Sequence, residues 1–300
     1  MPESPWWLSS RDMDDKALKS LEKLGCSQPG EAQKRLAVIK VTLEKVRAET
    51  EGVTYIECFR GSNLRRTIIS IAPLSIQAIG GVIFIAGYST YYQQLAGYST
   101  SESFSLFIAL QLCSMFGNVC SWDLVDRLGR RFMTFWGSLI LTILLLITGG
   151  LATAGDTRSI KGAIALMILY GWIYNVSIGS TAYNLLTEVA TSRLRVKTIA
   201  IGIMCQSLWY TMWSFVLPYL FNPDHANLGA KIAFIYGALS ILCTIYLWFY
   251  QVETAGRSYE ELDEMFMKRI SARKFKTYVT EVETKGQELQ RRNSATAVKA

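Results

Sequence analysis

A charged segment, residues 123–131, constrains this chain more than any other feature, because it separates two long uncharged runs. No Asp, Glu, Lys or Arg occurs from Ser103 to Trp122 or from Phe132 to Gly155. An α-helix rises about 1.5 Å per residue, and the hydrocarbon layer of a bilayer is about 30 Å thick. Each run is therefore long enough to cross a membrane, and the charged segment is predicted to be a tight turn between two spanning helices.

Long apolar runs recur along the chain, and together they predict six membrane-spanning helices. The predicted spans are 67–91, 103–122, 132–154, 162–186, 198–221 and 231–251. Half of the residues are hydrophobic and only 18% are charged, a balance that is rare in a water-soluble chain of 300 residues. The predicted fold class is therefore an all-α integral membrane protein, with a six-helix transmembrane bundle over residues 61–258.

The segments on either side of the predicted bundle are polar and charged. Within residues 1–60, two amphipathic helices are predicted, from Arg11 to Leu24 and from Gln33 to Thr50. They form either a small cytoplasmic helical cap or a pair of helices lying on the membrane surface. Residues 259–300 begin with an amphipathic stretch and then become rich in Thr, Lys and Glu, which predicts a partly disordered cytoplasmic tail.

Basic residues in the short loops lie mainly on one side of the predicted bundle. Loops 123–131 and 187–197 together hold six Lys and Arg, whereas the loops on the other side hold Arg158, Lys161 and Lys231. Because basic loops are retained on the cytoplasmic side of a membrane, both termini are predicted to be cytoplasmic. These flanks also explain the net charge of +7 as attraction to an anionic leaflet, so no nucleic-acid partner is predicted.

Polar and aromatic side chains of the first span share one helical face. They are Gln77, Gly80, Gly81, Phe84 and Tyr88. Polar groups within a bilayer usually face the bundle interior, because hydrogen bonds left unmade in lipid are costly. An amide and an aromatic ring suit a sugar, whose hydroxyls need hydrogen-bond partners, so Gln77 and Tyr88 are predicted sugar-binding residues. Alternatively, the two glycines serve only close helix packing.

Two later spans carry similar stripes. Asn175 lies on one face with Trp172, Gly179 and Tyr183, and Gln206 lies with Trp209, Tyr210 and Trp213. Asn175 and Gln206 are therefore further predicted sugar contacts, although aromatic stripes also serve packing and anchoring at the membrane interface. Gln111 and Asn118 of the second span are predicted to form hydrogen bonds between helices.

Charged residues of both signs occur where the second, fourth and sixth spans end on the predicted cytoplasmic side. They are Asp126, Arg127, Arg130, Arg131, Glu188, Arg193, Arg195, Glu253 and Arg257. Charge-assisted pairs among them are predicted to latch the helix ends together and to release when the ends separate. The alternative is a set of solvated topology signals, each contributing little to stability.

The sequence lacks the patterns of a metal site or an enzyme. The one histidine, His225, has no ligand partners at the usual spacing, and none of the six cysteines forms a C-x-x-C pair. No nucleophile-and-base set and no paired carboxylates fall inside the predicted spans. We therefore predict neither catalytic activity nor a metal or other cofactor.

Four motifs stand in order along the chain: Gln77-Ala78-Ile79-Gly80-Gly81, Asp126-Arg127-Leu128-Gly129-Arg130-Arg131, Glu188 to Arg195, and Val252-Glu253-Thr254-Ala255-Gly256-Arg257. In that order they resemble Q-Q-x-x-G, D-R-x-G-R-R, E-x-x-x-x-x-x-R and P-E-T-K-G-R of the sugar porter family of the major facilitator superfamily. Segments 87–92, 229–231 and 269–275 are most similar to fungal maltose and α-glucoside permeases. The chain departs from the family at Ala78, Ile83 and Val252, where many members have Gln, Asn and Pro. Only Gln77 is therefore carried into a sugar site by motif match.

The resemblance implies a plasma-membrane transporter that moves an α-glucoside such as maltose, or a hexose, by alternating access. The motif order matches helices seven to twelve of that family, so the chain is expected to be a C-terminal half without the first six helices. Proton coupling is then expected through the missing N-terminal half, and transport through a partner permease or self-association. The alternative is a truncated relative that binds or regulates full-length permeases without moving sugar.

Overall fold

The computed structural model describes residues 2–25, 30–50, 52–154, 156–191, 193–222, 224–226, 228–281 and 284. The chain divides into two compact units, Met1–Thr54 and Tyr55–Ala300. The predicted domain boundaries after residues 60 and 258 stay predictions. Residues 285–300, which the predicted disorder concerns, lie outside the described residues.

The first unit is a small three-helix cluster formed by α1 (Pro5–Ser10), α2 (Asp14–Lys23) and α3 (Glu31–Thr50). Its core contains Leu8, Ala17, Leu21, Ala32, Leu36 and Ile39. The two predicted amphipathic helices are therefore confirmed, because their apolar faces pack against each other. Lys40 of α3 lies 2.5 Å from Asp14 of α2, an ion pair between two exposed side chains.

The second unit contains the membrane-spanning helices. They are α4 (Gly61–Ile79), α5 (Val82–Leu95), α6 (Thr100–Leu128), α7 (Arg130–Ala154), α8 (Thr157–Val176), α9 (Ile178–Val189), α10 (Arg195–Phe221) and α11 (Ile232–Tyr250). Within the described residues, six stretches are long and apolar enough to cross a membrane. The six predicted spans are confirmed, and a tail helix, α12 (Tyr259–Met267), follows them.

The first and fourth spans are each broken near their middle. The first breaks between α4 and α5 at Gly80 and Gly81, and Gly81 has a φ of 95°, a region that glycine adopts without steric cost. The fourth breaks between α8 and α9 at Ser177, where φ is −107° and ψ is −103°. At each break a backbone oxygen accepts from a side chain: Gly80 from Tyr170, and Ile178 from Gln77.

Polar contacts between helices supplement an extensive apolar core. Tyr170 of α8 donates its hydroxyl to the backbone oxygen of Gly80 at 2.6 Å, so a phenol satisfies a carbonyl at the first break. The hydroxyls of Ser138 on α7 and Thr244 on α11 share a hydrogen bond of 3.1 Å. Such bonds hold helices together where the surrounding lipid offers no polar alternative.

The two least buried spans are α6 and α10. Only 17% and 22% of their most apolar stretches are buried, against 39% or more in the other four spans. Large apolar side chains on α6 are exposed, namely Phe104, Ile108, Leu112, Met115, Phe116, Val119 and Trp122. Gln111 is exposed on the same helix. These two spans therefore present broad faces without a protein partner in the described chain.

The tail packs onto one end of the bundle. Its contacts form a second core that contains Ile69, Leu185, Val189, Val252, Leu262, Met265, Phe266, Ala272 and Phe275. Arg66 is buried beneath α12 and donates to the backbone oxygen of Val189 and to Asp263. Its guanidinium carbon also lies 4.9 Å from the ring centre of Phe266. The tail is thus fixed to the beginning of α4 and the end of α9.

Candidate functional site

The predicted sugar contacts Gln77 and Gln206 meet in the interior of the bundle. Gln77, near the end of α4, is buried, and its Nε2 donates to the backbone oxygens of Ile178 at 2.7 Å and Gly179 at 3.2 Å. Gln206 of α10 donates from its own Nε2 to Oε1 of Gln77 at 3.0 Å. This glutamine pair therefore joins α4 and α10 at the first turn of α9, directly after the break in the fourth span.

Tyr183 extends the glutamine pair toward the surface. Its hydroxyl donates to Oε1 of Gln206 at 3.2 Å, and its side chain is 49% exposed, whereas Gln206 is 5% exposed. A chain of hydrogen bonds thus runs from an accessible phenol through two amides to the backbone of α9. Because amides and phenols both donate and accept, the chain offers several alternative partners to a ligand rich in hydroxyl groups.

A small cavity lies beside the glutamine pair. Its volume is about 10 Å³, and it is lined by Ile76, Gln77, Gly80, Ser138, Leu141, Tyr170, Tyr174, Ile178 and Ser240. That volume is about the space that one water molecule requires, and the lining supplies several polar partners. Gly80 at the first break and Ile178 at the second both line the cavity, so it lies next to both breaks.

The charged residues of the predicted latch converge around Arg130, at the start of α7. Its guanidinium lies 2.8 Å from Asp126 and 3.2 Å from Oε1 of Glu188, and its side chain is only 14% exposed. The other oxygen of Glu188 accepts from the hydroxyl of Thr254 at 2.5 Å. These contacts join the end of α6, the start of α7, the end of α9 and the segment after α11.

Glu253 occupies the N-terminus of α7. Its carboxylate accepts from the backbone N–H groups of Arg130 at 2.9 Å and Arg131 at 3.2 Å, as expected for an anion at the positive end of a helix. Gly129 makes this approach possible, because a Cβ at that position would lie 2.5 Å from the Glu253 carboxylate. We use the term latch below for Asp126, Arg130, Glu188, Glu253 and Thr254.

The comparison with known proteins identifies the chain. The model of the family described as "Sugar (and other) transporter" matches residues 1–266. The chain belongs to this sugar transporter family. It is 31% identical over 291 residues to the general alpha-glucoside permease of Saccharomyces cerevisiae strain S288c, covering 95% of this chain and 47% of the permease. It is 32% identical over 282 residues to the maltose permease MAL61 of Saccharomyces cerevisiae, covering 92% and 46%.

A solved structure of a bacterial xylose transporter has the same fold. The inward-open xylose transporter XylE from E. coli superposes with a TM-score of 0.67 at 23% sequence identity, over 88% of this chain and 51% of that one. This chain therefore has the major facilitator fold. It spans about half the length of the curated relatives that it matches.

The other two predicted sugar contacts, Asn175 and Tyr88, have other partners among the described residues. Asn175 accepts from Nδ2 of Asn118 at 3.2 Å, which confirms Asn118 as a partner between helices. Tyr88 lies beyond the first break, on α5, where its ring stacks at 6.0 Å from that of Phe221. No hydrogen bond in the described part of the chain joins Asn175 or Tyr88 to Gln77 or Gln206. Their roles in sugar binding stay predictions.

Five predicted latch residues make other contacts. Arg193 pairs with Glu57 at 3.5 Å. Arg127 pairs with Asp123 at 2.8 Å, and both side chains are largely exposed. Arg131 donates to the backbone oxygen of Trp248 at 3.0 Å. The remaining two hold the tail: Arg195 stacks 4.1 Å over the ring of Tyr259, and Arg257 donates to the backbone oxygens of Phe275, Lys276 and Tyr278. The described contacts therefore gather Asp126, Arg130, Glu188 and Glu253 into a central cluster. Of the other five residues, Arg195 and Arg257 hold the tail.

Three functional candidates were missed or misplaced by the sequence interpretation. Tyr170 binds the carbonyl of Gly80 at the first break. Its role could have been predicted in part, because a phenol deep in an apolar span needs a hydrogen-bond partner. Tyr183 was assigned to the stripe of Asn175, but the break at Ser177 turns it toward Gln206. Thr254 joins the latch through its hydroxyl, a contact that depends on tertiary structure alone.

Proposed function

We propose that this chain provides one six-helix half of an alternating-access transporter for α-glucosides such as maltose. The observation that carries the proposal is the glutamine pair, buried at the junction of two broken spans. Broken helices that meet near the middle of the bilayer are a common way in which transporters form substrate sites. The relatives named as alpha-glucoside and maltose permeases support this substrate class.

Sugar binding would use the hydrogen bonds that the glutamines now make to each other. A sugar hydroxyl that approaches Tyr183 can accept from its phenol or donate to Oε1 of Gln206, replacing the 3.2 Å contact between them. Rearrangement of Gln206 then frees Oε1 of Gln77 as a second acceptor. The site therefore exchanges protein contacts for ligand contacts without leaving a buried amide unsatisfied, which keeps the energetic cost of opening it low.

Helix α9 connects the proposed sugar site with the latch. Gln77 binds the backbone at Ile178 and Gly179, in the first turn of α9, while Glu188 in its last turn binds Arg130. The helix has 12 residues, so its two ends are about 18 Å apart. A tilt of this short rigid element at Ser177 would move both sites together. This arrangement can couple sugar binding to opening of the latch.

Transport is proposed to require a second six-helix half, supplied by another permease chain or a second copy. The exposed faces of α6 and α10 support this requirement, because apolar side chains there have no partner in the described chain. Proton coupling, if the complete transporter has it, is assigned to that second half. The proposed location is the plasma membrane. The basic loops support an orientation with the latch and both chain ends in the cytoplasm.

Sugar binding and uptake test the proposal separately. Saturable maltose binding by the purified chain in nanodiscs, measured by calorimetry, is expected, with no binding of mannitol as a control ligand. In yeast cells without endogenous α-glucoside permeases, uptake of labelled maltose is expected only when the first half of the general alpha-glucoside permease is co-expressed. Absence of maltose binding would overturn the sugar site. Uptake by a demonstrated monomer would overturn the need for a second half.

A further inference from the structure

Two arginines that are distant in sequence converge on Trp248, in the last turns of α11. Nη2 of Arg131 donates to the backbone oxygen of Trp248 at 3.0 Å. The guanidinium carbon of Arg273, in the tail, lies 5.1 Å from the ring centre of Trp248 and 5.1 Å from that of Phe249. The fold of the tail therefore brings a second cation to a position that already holds one.

These two arginines lack a carboxylate partner in the part of the chain that the structure describes. No ion pair there includes Arg131 or Arg273. The carboxylate of Glu253 is also near α7, but it already accepts from the backbone N–H groups of Arg130, Arg131, Thr254 and Ala255. Lys268 pairs with Glu264 and Glu281, but residues 269–276 contain four further Lys or Arg and no Asp or Glu. The local excess of positive charge favours an anionic ligand.

Exposed aromatic rings surround the two arginines. Trp248, Phe249, Phe132 and Trp136 are 45%, 56%, 49% and 45% exposed. Phe135 connects the two helices, with ring centres 4.9 Å from Trp248 and 5.3 Å from Trp136. Exposed aromatic residues at the ends of spanning helices are typical of the headgroup region of a bilayer.

An apolar surface continues from these rings along α7. Phe132, Trp136, Ile140, Ile143 and Ile147 recur at helical spacing, and all five are exposed. This stripe leads from the arginines toward the hydrocarbon layer. A ligand that follows it must carry an anionic group at one end and an acyl chain at the other, which distinguishes a lipid from a soluble phosphate compound.

We propose that Arg131, Arg273 and Trp248 form a binding site for the headgroup phosphate of an anionic phospholipid. The two guanidinium groups donate to the phosphate oxygens, and the acyl chains lie along the exposed stripe of α7. Guanidinium groups match phosphate geometry well, and basic sites beside spanning helices bind anionic headgroups. The bound lipid would also fix the tail segment at Arg273 to the end of α11.

Lipid retention by the purified full chain tests this site. Native mass spectrometry would compare phosphatidylserine with phosphatidylcholine, using the wild-type chain and the R131Q, R273Q and R131Q/R273Q variants. Phosphatidylserine is expected to bind the wild-type chain preferentially, and each single substitution to weaken it about fivefold. K274Q removes a neighbouring exposed charge from the same tail and is expected to change binding less than twofold.

Several outcomes would overturn the lipid site. They are equal retention of the two lipids, full retention by R273Q, or an equal loss in R273Q and K274Q. Inorganic phosphate is included as a competitor, and displacement of the lipid at millimolar phosphate would show a free-anion site instead. Arg273 is exposed in the tail, so R273Q should fold even if R131Q does not. R273K keeps the charge and is expected to retain most of the lipid binding.

Discussion

The amide of Gln206 donates to the side-chain oxygen of Gln77 across 3.0 Å, although the residues are separated by 129 positions. Both side chains are buried, so neither can exchange this contact for bulk water. A buried amide that loses its partner destabilises the fold unless another group replaces the hydrogen bond. The glutamine pair is therefore stable in the empty site and available to a ligand that provides hydroxyl groups.

Replacing Gln77 by alanine is expected to weaken maltose binding about tenfold, because the change removes one amide and leaves Gln206 without its acceptor. Calorimetry on the purified chain measures the effect. Q111A is the matched control, since Gln111 is an exposed glutamine on α6. Unchanged affinity in Q77A, or an equal loss in Q111A, would remove Gln77 from the sugar site.

Replacing Gly81 by alanine is expected to destabilise the bundle by about 1–2 kcal/mol, because an L-residue is strained at a φ of 95°. The added Cβ would also lie 3.2 Å from the ring of Tyr236. G87A is the control: Gly87 is on the same helix, and a Cβ there meets nothing within 4 Å. Thermal unfolding in detergent should show a lower Tm for G81A alone, and similar Tm values for the two variants would contradict the expectation.

Neutralising Arg130 is expected to disturb gating more than sugar affinity. R130Q removes the charge that pairs with Asp126 and Glu188, so the latch should open more often. Hydrogen–deuterium exchange of residues 126–134 and 186–190 should accelerate about tenfold, a change of about 1.4 kcal/mol in the opening equilibrium, while maltose affinity stays within twofold.

R127Q provides the comparison for the latch variant. Arg127 pairs with Asp123 at the surface, where such pairs contribute little, so exchange should be unchanged. Arg131 is also a predicted latch residue, but its side chain binds a backbone oxygen of α11. R131Q is therefore expected to accelerate exchange less than R130Q does. If R130Q changed sugar affinity alone, the charged segment would be a topology signal only.

Replacing Asp263 by asparagine is expected to loosen the tail. Arg66 is 4% exposed, so the loss of its ion-pair partner leaves a buried charge with less compensation. Because the Asp263 side chain is 39% exposed and water can enter, we expect a loss of about 1–2 kcal/mol. Limited proteolysis after residue 258 should become faster. D224N, at an exposed loop position, should behave as wild type. Equal rates for all three chains would argue against the role of Asp263 in fixing the tail.

The sequence was sufficient to predict the spans because their length and lack of charge are imposed by the bilayer. It also predicted the latch residues Asp126, Arg130, Glu188 and Glu253 as a cluster, since loop positions on one side of a bundle must be near each other. Whether that cluster gates a sugar stays a prediction.

Helix periodicity could not place residues beyond a break. Tyr88 shares a face with Gln77 only if the first span is one continuous helix, and the positive φ of Gly81 ends that continuity. The break at Ser177 likewise puts Asn175 on α8 and Tyr183 on α9, so helix periodicity no longer places them on one face. The position of Arg273 over Trp248 depends on how the tail folds back, which no local pattern in the sequence specifies.

The short helix α9 has a thermodynamic consequence for the proposed transporter. One of its ends is bound by Gln77 and the other holds Glu188 against Arg130. If its tilt couples the two sites, the coupling is reciprocal: the factor by which maltose favours an open latch equals the factor by which an open latch strengthens maltose binding. An agent that stabilises the closed latch can therefore lower the affinity for sugar by no more than that factor, and a variant in which the latch still stays mostly closed changes the affinity little.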